Sequence, residues 1–261
     1  MNRTFYIGRL FGIEFRLHFT WFIIFFLVVL LLVEPHYDRW LYWLLGIGTS
    51  LLFFASVLAH ELAHSLVGRA NGIPISNITL FIFGGIAVMK HEAGKPGAEF
   101  KMAIAGPLCS LVIGGIFGSL LLIPAVTGSV AVMIRWLAII NGILAVFNLI
   151  PGFPLDGGRV LRSVLWRATG SYLIASRIAT LIGQGFGYLM ILTGVLVIII
   201  RPFDMTWFDG LWIAFIGWFL SSSASGSYRQ IIRQERTQPS NDIELPSDDY
   251  TVLPREGGKK D

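Results

Sequence analysis

The sequence predicts an all-α membrane protein with six transmembrane helices and a small membrane-dipping β-hairpin between helices 2 and 3. Three observations favour this fold class. Of the 261 residues, 54% are hydrophobic and only 14% are charged, whereas a typical soluble domain is about 25% charged. Six segments are apolar over most of the roughly 20 residues that a helix needs to cross a bilayer. Between the second and third segments lies a shorter stretch that is rich in β-branched residues and contains two glycines.

The predicted spans follow one another with polar or basic connections between them. The sixth is the shortest and ends in the serine-rich run SSSASGS. Between the fourth and fifth spans, residues 159–177 mix arginines with aliphatic side chains, which is typical of a short interfacial amphipathic helix. The spans are predicted over residues 17–33, 41–67, 102–125, 130–150, 178–200 and 210–224.

The placement of lysine and arginine predicts the orientation of the spans. With the N-terminus in the cytoplasm, 17 of the 20 basic residues fall on the cytoplasmic side, which is the side where they accumulate in membrane proteins. Both termini are therefore predicted to be cytoplasmic, and the protein is expected to be a multi-pass protein of the plasma membrane. Residues 1–16 form a cytoplasmic N-terminal arm, residues 17–225 the six-span core, and residues 226–261 a flexible cytoplasmic tail.

The predicted hairpin covers residues 75–89, with the sequence ISNITLFIFGGIAVM. The segment is too short to span a bilayer as a helix, and its β-branched and aromatic residues favour strands. The double glycine, Gly84-Gly85, is predicted to form the turn. Non-helical backbone at membrane depth needs shielding by protein or by a water-filled cavity. We therefore expect the hairpin to dip in from the cytoplasmic side and to line a polar cavity.

The net charge of +4 does not predict a nucleic-acid partner. The basic residues cluster between apolar segments, where membrane orientation explains them, and they do not interleave with aromatic residues. The predicted partner at these positions is the lipid bilayer, with no nucleic acid. The single cysteine, Cys109, excludes an intramolecular disulfide framework.

Three ionisable residues lie together inside the second predicted span, in the segment SVLAHELAHSLVG. Such residues are rare within hydrocarbon and usually functional. His60 and His64 are four positions apart and therefore share one face of a helix. Two imidazoles at this spacing can bind one Zn²⁺. In the resulting HExxH motif, Glu61 faces the open position of the metal, where it can act as a general base.

A catalytic zinc site needs a third protein ligand, and the predicted one is Asp156. It lies in the segment FNLIPGFPLDGGR, just after the fourth span. Taken alone, Asp156 followed by glycine also fits an ordinary turn. In the predicted topology, however, it lies at the same cytoplasmic depth as His60 and His64. Asn148, eight residues earlier, fits either an interhelical hydrogen bond or a contact with substrate.

These motifs resemble those of the site-2 protease family of intramembrane zinc metalloproteases. The resemblance rests on HELAH at 60–64, NLIPGFPLDGG at 148–158 and AGPLCSL at 105–111, and it covers roughly residues 1–225. It implies one Zn²⁺ per chain, bound by the residues of the first and second motifs, and a site that faces the cytoplasm from below the membrane surface. The implied roles are metal ligand for His60, His64 and Asp156, general base for Glu61, and substrate binding for Asn148.

The function that this resemblance implies is hydrolysis of single-span membrane proteins within or near the cytoplasmic half of the bilayer, in regulated intramembrane proteolysis. Two alternatives remain open. A divalent metal transporter would also place histidine and carboxylate at membrane depth, although the sequence contains no evident inverted repeat. An inactive relative would only bind membrane proteins, but the intact Glu61 argues against it. The ligand set would also accept divalent ions other than zinc.

Overall fold

The structure, a computed structural model, describes residues 4–33, 40–81, 84–89, 93–202 and 205–237. Within these residues the chain forms seven helices and four strands. Helices account for most of the described chain, as the sequence predicts. They are α1 (Thr20–Val33), α2 (Trp40–Ala70), α3 (Pro96–Leu120), α4 (Gly128–Asn148), α5 (Asp156–Thr169), α6 (Tyr172–Ile200) and α7 (Trp207–Thr237).

A helix lies at each of the six predicted spans, but not all of them are long and apolar enough to cross a membrane. Among the described residues, α2, α3, α4 and α6 meet that requirement by length and composition. Helix α1 is a shorter apolar helix of 14 residues. Helix α7 continues to Thr237, so the predicted flexible tail begins as helix, and only residues 238–261 of it lie outside the described residues.

Large apolar side chains cover the outer faces of the helices. Ile199 in α6 is 71% exposed, and Val132 in α4 and Ile116 in α3 are also exposed. Contiguous apolar surface on this scale is unusual for a protein in water. Because a bilayer presents a surface of the same polarity, these faces are those expected of membrane-spanning helices.

The prediction of an all-α fold is wrong at the N-terminus. The arm forms strands β1 (Thr4–Leu10) and β2 (Ile13–His18), which pair antiparallel across a turn in which Phe11 and Gly12 have φ of 51° and 77°. Two consecutive positive φ angles are typical of a tight hairpin turn. The first predicted span therefore begins too early, because its first two residues belong to β2.

A four-stranded sheet forms when this N-terminal hairpin joins β3 (Ile75–Phe81) and β4 (Gly84–Met89), in the order β1-β2-β3-β4. Strands β2 and β3 are parallel, whereas β3 and β4 are antiparallel. Two antiparallel strands thus lie between the second and third predicted spans. The predicted turn is wrong, because Gly84 and Gly85 belong to β4 and pair with Phe81 and Leu80. The residues that join the two strands lie outside the described residues.

Helix α5 lies where an interfacial helix is predicted at residues 159–177, but it ends earlier than that prediction. It begins at Asp156 and ends before Gly170, which has a φ of 72°. A glycine with positive φ directly after a helix caps its last carbonyls. Helix α6 begins two residues later, at Tyr172. The chain therefore turns sharply after α5 instead of continuing to residue 177.

Helices α2 and α4 run in the same direction. Ser129, at the start of α4, donates a hydrogen bond to the hydroxyl oxygen of Tyr42 near the start of α2, over 3.0 Å. At the other end, His60 of α2 lies 3.2 Å from Asp156, which follows α4. The C-terminal ends of α2 and α4 therefore meet at one end of the molecule, together with α5.

Helices α6 and α7 pack with their backbones in direct contact. A Cβ added at Gly194 of α6 would lie 2.5 Å from the carbonyl oxygen of Gly210 in α7. A Cβ added at Gly217 of α7 would lie 2.5 Å from the carbonyl oxygen of Gly187 in α6. Only glycine leaves room for such an approach, which is a common device in membrane helix pairs.

Candidate metal centre

Helix α2 presents the two histidines on its inner face. His60 and His64 are 3% and 9% exposed, and their Nε2 atoms are 3.1 Å apart. This arrangement follows from the spacing of four residues, which places both imidazoles one above the other on the same side of the helix. Both ring atoms face the start of α5.

Asp156 completes the group from the first turn of α5. Its Oδ2 lies 3.2 Å from Nε2 of His60 and 3.0 Å from Nε2 of His64. The two glycines after Asp156 allow the first turn of α5 to approach the histidines closely. A Cβ at Gly157 would lie 2.3 Å from the carbonyl oxygen of Ile150, and one at Gly158 would collide with the backbone of the same loop. The first turn of α5 can therefore pack directly onto the loop that precedes it.

The outer nitrogens of both imidazoles are held by α3. Nδ1 of His64 lies 2.7 Å from the carbonyl oxygen of Met102, and Nδ1 of His60 lies 2.9 Å from Oγ of Ser110. Because a carbonyl can only accept, His64 donates through Nδ1, and in the neutral imidazole its Nε2 then carries the lone pair that faces Asp156. Metal-binding histidines are commonly oriented by such an outer hydrogen bond.

The three inward atoms fit a zinc ion. In a tetrahedral site with ligand distances of about 2.0–2.1 Å, neighbouring ligand atoms are about 3.3 Å apart. The three edges of the group formed by His60, His64 and Asp156 are 3.0–3.2 Å. A carboxylate oxygen and a lone pair on Nε2 repel each other at such a distance unless a proton or a cation lies between them. The group, which is the candidate metal cluster of the described residues, is therefore suited to bind a divalent cation.

Helix α3 approaches the site closely at Gly106. A Cβ at this position would lie 2.1 Å from Nε2 of His64, so that any side chain larger than hydrogen would displace the imidazole. Gly106 belongs to the AGPLCSL segment identified in the sequence, which also contains Ser110. The segment thus supplies both the space for one histidine and the hydrogen bond for the other.

Glu61 follows His60 in α2 and lies against strand β4. A Cβ at Gly85 would lie 2.4 Å from Cγ of Glu61, so the strand backbone is in contact with the carboxylate side chain. Glycine within a strand often marks a close approach of this kind. The sheet packs on the same stretch of α2, because Leu58 and Leu62 contact its buried residues.

Asn148, the predicted substrate-binding residue, forms a hydrogen bond within its own helix. Its side-chain nitrogen donates to the carbonyl oxygen of Leu144, one turn earlier in α4, over 3.0 Å. The bond lies within one helix, and among the described residues Asn148 forms no interhelical hydrogen bond.

Sequence reasoning missed three buried polar residues near the site. Ser110 is an ordinary small residue within an apolar run, and only its place in AGPLCSL marked it. Glu99 is completely buried and pairs with Arg162, whose Nε donates to Glu99 Oε1 over 2.7 Å. The sequence does not predict a buried Glu99, because the third predicted span begins at residue 102 and places Glu99 in a loop, whereas α3 begins at Pro96.

We expect Ser110→Ala to lower the zinc affinity of the purified protein by about 10-fold to 100-fold, the usual effect of removing an outer partner of a metal ligand. The physical reason is that His60 loses the group that fixes its ring orientation. A chelator competition titration measures the change. Ser119→Ala in the same helix is the control, since its hydroxyl donates to the carbonyl oxygen of Ile116 one turn earlier, at an exposed position. Equal zinc affinities of the two variants would contradict the role of Ser110.

Two stretches of the sequence, 48–127 and 120–193, match peptidase family M50. The chain belongs to this family. The resemblance to site-2 proteases drawn from the motifs is thereby confirmed. With four helices suited to cross a membrane, this M50 member is a multi-pass membrane protein, and its two histidines and aspartate are suited to the zinc that the family binds.

Individual M50 relatives are similar over most of the chain. A protein of Synechocystis, provisionally named zinc metalloprotease sll0528, is 43% identical over 95% of this chain and 66% of its own length. Rip3 of Mycobacterium tuberculosis, also provisionally named a zinc metalloprotease, is 36% identical over 88% of this chain and 60% of its own length. The chain thus spans less than two thirds of the length of these curated relatives.

A solved structure shares the fold. The site-2 protease from Methanocaldococcus jannaschii is 30% identical to this chain and superposes with a TM-score of 0.61. The likeness covers 85% of this chain and 94% of the other. The two stretches that match the M50 family include His60, His64 and Asp156.

Proposed function

We propose that the chain is an intramembrane zinc metalloprotease that hydrolyses peptide bonds of single-span membrane proteins within or near the cytoplasmic half of the bilayer. One observation carries the proposal, namely the convergence of two imidazoles and one carboxylate at 3.0–3.2 Å beside Glu61. The names of the M50 relatives, which describe zinc metalloproteases, support it. The related solved structure of a site-2 protease supports the intramembrane location.

The proposed chemistry is peptide hydrolysis with Glu61 as the general base. Zn²⁺ bound to two histidines and a carboxylate supplies Lewis-acid activation of water and of a carbonyl group. Glu61 accepts the proton of the attacking water and later delivers it to the leaving amine. His60 and His64 keep their rings fixed through Ser110 and Met102 during both steps. Asn148 contacts the substrate through its amide oxygen, which can accept a hydrogen bond from a backbone N–H.

In the proposed topology, the protein crosses the plasma membrane six times, and both termini lie in the cytoplasm. Helices at all six predicted positions support it, as does the shared direction of α2 and α4. Helix α1 rises about 21 Å over its length, which is less than the roughly 30 Å of a hydrocarbon core. Bilayers accommodate short spans by local thinning, and a thinned bilayer would bring water nearer to the site.

The proposed substrate-binding element is the outer edge of β4. Among the described residues, β4 pairs with β3 on one side only. A peptide that added to its free edge as an extended strand would run past Gly85 and therefore past Glu61. Strand addition would also expose the carbonyl groups of the substrate, which an intact helix would keep in its own hydrogen bonds.

A pair of proline variants tests this edge. In an antiparallel strand, neighbouring residues direct their N–H groups alternately to the partner strand and away from it, and proline removes the N–H. One of Ile86→Pro and Ala87→Pro therefore removes an outward donor, and the other removes a bond to β3. We expect the outward variant to lose most cleavage at unchanged zinc content, and the inward variant to melt at a lower temperature. Wild-type cleavage by both would contradict strand addition at β4.

The decisive experiment for the proposed function uses the purified chain and a panel of single-span membrane proteins. We expect the wild type to cleave at least one of them, and expect a chelator to stop the reaction and added Zn²⁺ to restore it. The Glu61→Gln variant is the matched control for contaminating proteases. Cleavage that persists in this variant or in the presence of chelator would contradict the assignment.

A further inference from the structure

We propose that the buried ion pair between Glu99 and Arg162 is a positioning device for Asp156, so that one face of α3 orients all three metal ligands. The proposal rests on the proposed zinc site and concerns residues that bind no metal themselves. It assigns a role to a pair of charges that the catalytic mechanism does not use.

The residues concerned lie along one face of α3. Positions 99, 102, 106 and 110 are separated by three or four residues, and side chains at this spacing line one stripe of a helix. Ser110 fixes His60, and the Met102 carbonyl fixes His64. Gly106 leaves the space that His64 occupies. Glu99 is the remaining member of the stripe, and its partner Arg162 lies on the helix that carries the third ligand.

The ion pair is completely enclosed. Glu99 is 0% exposed and Arg162 is 2% exposed. Nε of Arg162 donates to Glu99 Oε1 over 2.7 Å, and a terminal nitrogen of the guanidinium contacts the same oxygen. The guanidinium carbon also lies 4.9 Å from the ring centre of Phe153 and 4.6 Å from that of Tyr172. Aromatic faces attract and orient such a planar cation.

This arrangement fixes the chain on both sides of Asp156. Arg162 lies six residues after Asp156 in the same helix, α5, and Phe153 lies three residues before it in the loop. The backbone N–H of Phe153 also donates to the carbonyl oxygen of Ala179 in α6, over 3.2 Å. The aspartate therefore sits between two points that the guanidinium holds at a fixed distance from α3.

Stability alone does not explain an ion pair at this position. Removing two charges from water is expensive, and well-packed apolar residues at such a site are often as stable or more stable. What an Arg–Glu pair provides beyond an apolar pair is direction, because its hydrogen bonds fix the angle as well as the distance. A metal ligand needs this directional control, since its oxygen must remain close to both His60 and His64.

The test is the double variant Glu99→Met/Arg162→Met. Methionine is similar in length to glutamate and shorter than arginine, and it is flexible enough for its sulfur to contact the rings of Phe153 and Tyr172. We expect the thermal midpoint of the zinc-free variant to stay close to that of the zinc-free wild type. We expect its zinc affinity, measured by chelator competition, to fall by about 10-fold to 100-fold. The rise in thermal midpoint on adding Zn²⁺ should shrink accordingly.

Two further variants complete the experiment. Tyr42→Phe removes an interhelical polar contact at the opposite end of α2 and should leave zinc affinity unchanged. Arg162→Lys keeps the buried charge but loses the planar group between the rings. Arg162→Lys should lower zinc affinity less than the double variant does. If the double variant does not fold, the zinc affinity of Arg162→Lys is the test of the proposal. Zinc affinity equal to that of the wild type in Arg162→Lys and in a folded double variant would overturn the proposal.

The outcome separates this inference from the proposed function. Zinc affinity is measured without substrate, so a wild type that binds zinc but cleaves nothing would count against the protease and leave the positioning role testable. A wild type that cleaves its substrate, together with a double variant of unaltered zinc affinity, would overturn the positioning role alone. A fall in affinity that merely follows a loss of stability in the zinc-free protein would also overturn it.

Discussion

Glu61→Gln is expected to abolish cleavage while the protein keeps its zinc. The amide cannot accept the proton of the attacking water, and loss of general acid–base catalysis typically lowers a rate by about 10²-fold to 10⁴-fold. The metal should remain because its three ligands are other residues, which lie within 3.0–3.2 Å of one another. The measurement is the initial rate on a cleaved single-span substrate, together with metal analysis of the same preparation.

The matched control for this variant is Glu14→Gln on β2. Glu14 forms an ion pair with Arg16 at 2.8 Å in which both side chains are about two-fifths exposed. Such surface pairs contribute little to stability, so this variant should cleave at the wild-type rate. If Glu61→Gln also retained a rate near that of the wild type, the assignment of the general base would be wrong.

Asp156→Asn is expected to release zinc. A neutral amide oxygen replaces the one anionic group that lies within 3.2 Å of both imidazole Nε2 atoms. Because Asp156 is itself a predicted ligand, the loss in zinc affinity should exceed the 10-fold to 100-fold typical of an outer partner. The measurement is the zinc content of detergent-purified protein after dialysis against a chelator of stated strength.

Asp209→Asn is the control, because it makes the same chemical change at a position outside the proposed ligand set. Asp209 is exposed at the start of α7, where its carboxylate accepts hydrogen bonds from Thr206. This control should retain zinc as the wild type does. Full zinc content in Asp156→Asn after the same dialysis would remove Asp156 from the proposed ligand set.

The convergence of the three candidate metal ligands could be predicted from the sequence because its signals are local or chemically conspicuous. His60 and His64 are one helical turn apart, and Asp156 is an acidic residue beside an apolar span. The buried ion pair next to these ligands could not be predicted in this way. Glu99 and Arg162 are 63 residues apart, and nothing in either local sequence indicates that these two charges are buried together.

The sheet illustrates a second limit of sequence reasoning. The first predicted span includes the last two residues of β2, because strand and helix follow each other with only Phe19 between them. The double glycine predicts a turn, because Gly-Gly favours tight turns. In the structure, Gly85 is required by tertiary packing, since Glu61 leaves no space for a side chain. Such a requirement depends on a neighbour 24 residues away and has no local signature.

The glycine contacts between α6 and α7 have a mechanical consequence. With carbonyl oxygens of one helix only about 2.5 Å from where a Cβ of the other would stand, no layer of side chains separates the two backbones at these positions. The same kind of contact joins Gly183 of α6 to the backbone of Phe153. The two helices and that loop are therefore tied together by backbone packing, and a side chain larger than hydrogen at Gly183, Gly194 or Gly217 would force them apart.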